Sequence, residues 1–200
     1  MRNKIILVGL LAFIMLLSCN EKPKPASENT QNLLSTEEKE EYLKKGKGIA
    51  SATFATLSSA LGKALEKGGV SEAIEICNMA AFPLVDSLSK LHNATIRRTS
   101  LKVRNTKNKA TTVELKVLES YAADHKSGKT LQAKVEEVDG MVAFYSPIKV
   151  QPLCLSCHGK VGETLKEEDY KLIKTLYPQD QAIGYESQDL RGIWSIKFEK

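Results

Sequence analysis

The chain has 200 residues, 42% of them hydrophobic and 26% charged, with a formal net charge of +5. That balance excludes a disordered or fibrous chain, and the length is enough for one domain with a sizeable core. Its four cysteines, Cys19, Cys77, Cys154 and Cys157, are too few for a fold built on disulfides.

Arg2 and Lys4 precede an apolar run of 13 residues, Ile5 to Leu17. The run suits the hydrophobic region of a signal peptide and falls short of the roughly 20 residues of a membrane span. It ends in Leu16-Leu17-Ser18-Cys19, which resembles a bacterial lipobox, so residues 1–18 read as a lipoprotein signal peptide and Cys19 as its lipidation site. Removing 18 of the 200 residues leaves 182 and takes away Arg2 and Lys4 but no acid, so the net charge falls from +5 to +3. Asn20 follows Cys19 where an Asp would mark inner-membrane retention, which points to the outer membrane. The expected place is the bacterial cell envelope, on the periplasmic side, held by lipid. Residues 19–34 are polar, with Pro23, Pro25 and Ser27, and cannot bury enough apolar surface to fold; they read as a tether. Residues 35–200 are left to form one domain.

Ser35 and Glu38 have the spacing of a capping box and predict a long first helix ending at Gly68-Gly69. Its expected buried stripe is Phe54, Leu57, Leu61 and Ala64. A second helix is expected after Ser71, with Ala73, Ile74, Cys77 and Ala81 on its apolar face, ended or kinked by Pro83. Thr95 to Val103 reads as a strand. A third helix is expected from Thr111 or Thr112 to His125. Leu131 to Val138 and Met141 to Val150 flank Asp139-Gly140, a hairpin signal. Glu167 to Leu176 reads as a helix stopped by Pro178, and Arg191 to Phe198 as a last strand. Helices first, then strands interleaved with helices, predict an α+β fold with an antiparallel sheet.

Between the hairpin and the next helix lies Cys154-Leu155-Ser156-Cys157-His158. Two cysteines separated by two residues can reach the two vinyl groups of one porphyrin, and the histidine that follows can lie under its iron. This order is the attachment signal of c-type haem. Such attachment occurs outside the cytoplasm, where the signal peptide independently sends the chain. A thioredoxin-like pair would need a βαβ context, and a zinc site would need a second cysteine pair; the sequence has neither. One motif means one haem c, with Cys154 and Cys157 as thioether residues and His158 as an iron ligand.

Lipid and haem use three of the four cysteines and leave Cys77 over. It is either a small buried hydrophobe or the second axial ligand. Met79, His92, His125 and Met141 compete for that place, although Met79 lies about 200° from Cys77 around a helix. From Ser87 to Val113 there are seven Lys and Arg residues and no acid. This is either a solvated basic face or a set of partners for the haem propionates, and Arg98 and Arg104 suit carboxylates better than the lysines do. If the strand is continuous, positions 98, 100, 102 and 104 share one face. Nucleic acid is excluded as a partner by compartment; anionic membrane headgroups are not.

These residues resemble the single-haem c-type proteins with a PAS-like fold, a family long catalogued as a domain of unknown function, with stand-alone members and sensor modules. The resemblance runs from about Thr36 to Phe198. It rests on Ala73-Ile74 with Cys77, on Arg98-Thr99-Ser100 with Arg104-Asn105 and Asn108, and on Tyr145-Ser146-Pro147-Ile148. It rests further on the haem motif with Gly159, and on Tyr177-Pro178, Asp180, Ala182, Gly184-Tyr185, Asp189 and Arg191-Gly192. Gln188 stands where the family usually has a glycine. The resemblance implies a sheet of about five antiparallel strands with flanking helices, His158 as proximal ligand and Cys77 thiolate as distal ligand. A thiolate stabilises Fe(III), so a low midpoint potential is expected. Two protein ligands leave no open position for a substrate, and no proton-transfer constellation is visible, so the chain is not expected to be an enzyme. The leading expectation is a low-potential electron carrier with a redox protein partner. The alternative is a redox or diatomic-gas (CO, NO) sensor that exchanges Cys77 and signals to a protein partner.

Overall fold

The computed structural model describes residues 34–198. The expected signal peptide, the lipidation site Cys19 and nearly all of the tether therefore lie outside the described residues. Among those described, no helix is long and apolar enough to cross a membrane.

The first helix, α1 (Thr36–Met79), begins as its capping box predicts. Ser35 Oγ accepts from Glu38 N, and the Glu38 carboxylate accepts from Ser35 N. The helix breaks at Gly68 (φ −154°) and Gly69 (φ 64°, ψ −152°), so two helical segments meet there. The second segment ends at Ala80, and α2 (Ala81–His92) follows at once. Pro83 falls in the first turn of α2, where its missing N–H has no intrahelical partner to lose. It therefore marks a helix start just after a break. Asn93 closes α2 in a left-handed conformation (φ 47°).

The other elements are β1 (Ala94–Thr99), α3 (Thr112–Lys126), β2 (Lys134–Val138), β3 (Met141–Lys149), α4 (Leu155–His158), α5 (Glu167–Leu176) and β4 (Leu190–Phe198). Asp139 (φ 53°) and Gly140 (φ 72°) form the two-residue turn of the β2–β3 hairpin. Gln188, where the family resemblance implies a glycine, also has positive φ (73°), a backbone state that favours glycine. The sheet order is β1-β4-β3-β2, with every neighbouring pair antiparallel.

Alternation along the strands sorts the core into two faces. Phe144, Trp194, Ile196 and Phe198 pack with Ile49 and Ala50 of α1 and Val85 of α2. Ala143, Tyr145 and Ile193 pack with Val117, Leu118 and Tyr121 of α3. The α+β class, the antiparallel sheet and the long N-terminal helix agree with the expectation.

Three details differ. The sheet has four strands among the described residues, where about five were implied. β1 stops at Thr99, because Ser100 Oγ bonds Arg191 O at 2.6 Å and Lys102 N and O at 3.1 Å, and these bonds turn the chain out of the sheet. Positions 98 to 104 therefore do not share one strand face. Finally, of the expected stripe Ala64 is buried but Phe54 is 46% exposed, and the other buried residues of this part of α1 are Gly46, Ile49, Ala50 and Thr53.

Candidate functional site

The end of β3 leads through a 3-10 turn, Pro152–Cys154, directly into α4. In this helical stretch Cys154, Cys157 and His158 stand at positions i, i+3 and i+4, which share one face. All three line a cavity of about 380 Å³. The opposite wall comes from α1: Phe54, Leu57, Leu61 and Leu65 before the glycine break, Ala73, Ile74 and Cys77 after it. Phe54, Leu57 and Leu61 of the stripe expected in the core are thus a cavity wall, while Ala64 is buried as expected.

His158 is half-buried. Its Nδ1 lies 2.7 Å from the carbonyl oxygen of Ala182, which can only accept, so Nδ1 carries the proton and Nε2 keeps its lone pair. Burial holds the imidazole well below its ordinary pKa, and the charges of Arg191 and Arg104 push in the same direction. A neutral imidazole with a free Nε2 is a metal ligand already in its binding tautomer. The acceptor segment is fastened alongside α4, since Gly184 N donates to Gly159 O and Tyr185 N to His158 O at 2.8 and 3.0 Å. The Tyr185 ring meets the His158 ring edge-on at 6.3 Å.

Cys77 lies in the same apolar cluster as Cys157, with Ile74, Ile173 and Tyr177. Burial raises its thiol pKa, against a smaller lowering by Arg98 and Arg104. Cys77, Cys154 and Cys157 are all free thiols. The competing ligands are elsewhere and none lines the cavity. Met79 is 65% exposed. His125 faces Asp189 at 3.9 Å. His92 ends α2, and Met141 opens β3 beside the hairpin turn.

Arg98, Arg104, Arg191 and Lys149 reach the cavity wall, which contains no Asp or Glu. The Arg98 guanidinium lies 5.9 Å over the Trp194 ring. Arg104 is nine-tenths buried and donates through one Nη to Asp180 Oδ2 (3.2 Å), Ala182 O (3.3 Å) and Cys157 O (2.5 Å). Its Nε is buried with no acceptor among the described residues. Arg191 donates to Lys102 O at 3.1 Å and lies over Tyr185.

The donor set fits a haem. Two thiols and an imidazole share one helix face, a further thiol lines the same cavity, and the walls are apolar. The charged residues of the wall are all cationic and include a buried donor without an acceptor, which suits propionate carboxylates. A closed zinc site does not fit: no group of three or more His, Cys, Asp or Glu among the described residues is arranged to hold a metal ion.

A family model described as Tll0287-like matches residues 21–198. The chain belongs to the Tll0287-like family. A similar solved structure is titled "Crystal structure of the cyanobacterial heme-protein Tll0287", at 22% sequence identity and a TM-score of 0.56. The match covers 84% of this chain and 98% of that one, so the two share a fold. No curated protein matches the chain.

Sequence reasoning did not assign Arg191, Tyr185, Asp180 or the Ala182 carbonyl to the site of this Tll0287-like chain. Asp180, Ala182, Tyr185 and Arg191 were visible only as marks of family resemblance. The Ala182 contact is made by main chain, which leaves no trace in residue type.

Proposed function

We propose that this member of the Tll0287-like family is a mono-haem c-type protein of the bacterial envelope, anchored through lipidated Cys19, that carries electrons at low potential. The observation that carries the reading is the convergence of Cys154, Cys157, His158 and Cys77 on one carboxylate-free cavity. Cys154 and Cys157 would hold the haem, each thiol adding its S–H across one vinyl group to give one C–S bond with no net oxidation. His158 would hold the iron through Nε2, and Cys77 through its thiolate. Arg98 and the free Nε of Arg104 pair the propionates. Bound haem supplies a one-electron Fe(III)/Fe(II) couple, and an anionic thiolate lowers its potential. Two protein ligands leave no open coordination position, so no enzymatic role is assigned. The relative described as a heme-protein is consistent with the cofactor.

One observation favours a second reading, a redox or diatomic-gas sensor. The segment bearing Cys77 is bounded by the break at Gly68–Gly69 and the break at Ala80, so it can move apart from the rest of α1. In that case Cys77 would take up a proton and give up its hold on the reduced iron, and its helix segment would move to signal.

The test is optical and EPR spectroscopy of the chain matured with cytochrome c assembly machinery, as wild type and Cys77→Ala. The expected result is haem that stays attached after denaturation, with a low-spin ferric thiolate signal lost in the variant. Haem released on denaturation overturns covalent attachment. An unchanged spectrum in Cys77→Ala overturns thiolate ligation and the low-potential argument with it. Carbon monoxide binding to the reduced wild type selects the sensor over the carrier.

A further inference from the structure

The propionate role assigned to Arg104 uses its free Nε and leaves its Nη contacts unexplained. Those contacts lead to Asp180, whose side chain is fully buried. One carboxylate oxygen takes the Arg104 Nη bond at 3.2 Å. The other accepts from Ala182 N at 2.9 Å. The Ala182 carbonyl in turn receives His158 Nδ1 at 2.7 Å and Arg104 Nη at 3.3 Å. Ala182 is therefore held at both of its main-chain polar groups by the ion pair and by the histidine it orients.

A buried carboxylate against a buried guanidinium is costly to dehydrate and is weak evidence for stability as such. What this one accomplishes geometrically is to aim one carbonyl at one imidazole nitrogen. We infer that Asp180 is a positioning residue for His158: through Ala182, and with Arg104 as its counter-charge, it selects the Nδ1–H tautomer and so presents Nε2 to the iron. The inference rests on the reading of His158 as the proximal ligand. Substitution of Asp180 by Asn leaves one acceptor for two donors: its NH2 must face either the Arg104 N–H or the Ala182 N–H, and in either case the guanidinium loses its carboxylate and the hold on Ala182 weakens.

The experiment has two readouts. The first is the ¹⁵N spectrum of the histidine-labelled full mature chain without haem, at neutral pH, with His92 and His125 as internal references. Wild type is expected to hold His158 as Nδ1–H. In Asp180→Asn the ratio of Nδ1–H to Nε2–H is expected to fall about tenfold, the size of one net hydrogen bond. The second is the midpoint potential of the haem-loaded chain, expected to rise in Asp180→Asn because a buried negative charge near the iron site is lost. If Asp180→Asn does not fold, the pair Arg104→Met with Asp180→Leu removes both charges at similar volume, and its tautomer ratio is read in the same way. An unchanged ratio in a folded variant overturns the inference, whatever happens to the melting temperature. A wild-type chain that retains no haem overturns the proximal-ligand reading instead, and the tautomer measurement still decides the role of Asp180.

Discussion

Two adjacent arginines in β1 take opposite faces of the sheet, because side chains alternate along a strand. Arg98 lies over Trp194 on the cavity side. Arg97 points to the α3 side, where its Nε donates to Glu114 Oε1 at 3.1 Å and its Nη to Lys109 O at 2.9 Å. Glu114 is 1% exposed and is also the acceptor of the α3 capping box with Thr111. Burial alone would raise its pKa. The bonds from Thr111 N and Arg97 Nε, with the Ser195 hydroxyl nearby, outweigh burial and hold it below the ordinary 4.5. A depressed carboxylate contributes stability that is complete above its unfolded pKa and is lost as pH falls through the folded value. Glu114→Gln is therefore expected to cost about 1–3 kcal/mol at neutral pH, the usual cost of leaving buried donors unsatisfied. That deficit should shrink in acid, below about pH 4.5, as the wild-type carboxylate itself protonates. Thermal melts of both proteins from pH 7 to pH 3 check this, and a deficit that does not change with pH refutes it. The charge run from Ser87 to Val113 was legible as sequence. Which arginine met a carboxylate and which met the cavity was decided by strand parity and by the acids brought in by α3 and the segment after α5.

At the scale of elements, helix α1 shows how far local signals reach. Its start, its glycine break, the boundaries of α3 and α5 and the hairpin turn follow from capping residues, turn residues and periodicity, which act within a few positions of the chain, whereas β2 begins at Lys134 rather than the expected Leu131. Its buried face did not follow, because Phe54, Leu57 and Leu61 have a helical period whether they face a core or a cavity. Tight packing on the sheet is instead made at Gly46, where an added Cβ would meet the Phe144 ring at 2.3 Å. Gly46→Val is expected to separate α1 from β3 and to destabilise by about 1–3 kcal/mol, as overpacked sites do. For a chain of this size the melting temperature should drop by roughly 2–4 °C per kcal/mol. Gly48→Val, with open space around it, is the control and should leave the melt within a degree or so of the shift a surface substitution gives. Equal shifts in the two variants would contradict the close approach. The early end of β1 has the same non-local origin: Ser100 leaves the sheet because of a bond to Arg191, far along the chain.

At the scale of the whole molecule, the proposed anchor and the folded domain are separate devices. With lipid on Cys19, the matured chain is expected in the membrane fraction. Cys19→Ser should move it to the soluble envelope fraction while its haem stain is retained, because the cavity residues all lie from Phe54 onward. Cell fractionation with haem-stained gels reads both properties at once. A variant that stays with the membrane refutes lipid anchoring at Cys19, and a variant that loses haem refutes the independence of anchor and site.

The sequence by itself determined most of the elements and the motif on which the proposed covalent attachment rests. Capping boxes, turn pairs and a motif of five consecutive residues act over distances the chain spans without folding, so residue types at fixed spacing suffice to read them. The motif sets Cys154, Cys157 and His158 on one helix face from spacing alone. Only the tertiary structure decided that Cys77, 81 positions before His158, faces the same cavity while Met79, His92, His125 and Met141 do not. It also decided that Arg104 is fixed by Asp180, and that a main-chain carbonyl at Ala182 meets Nδ1 of His158. These contacts join segments remote in sequence. They form because burial in a packed interior requires each buried donor and charge to find a partner, and no local pattern states which partner the fold will bring.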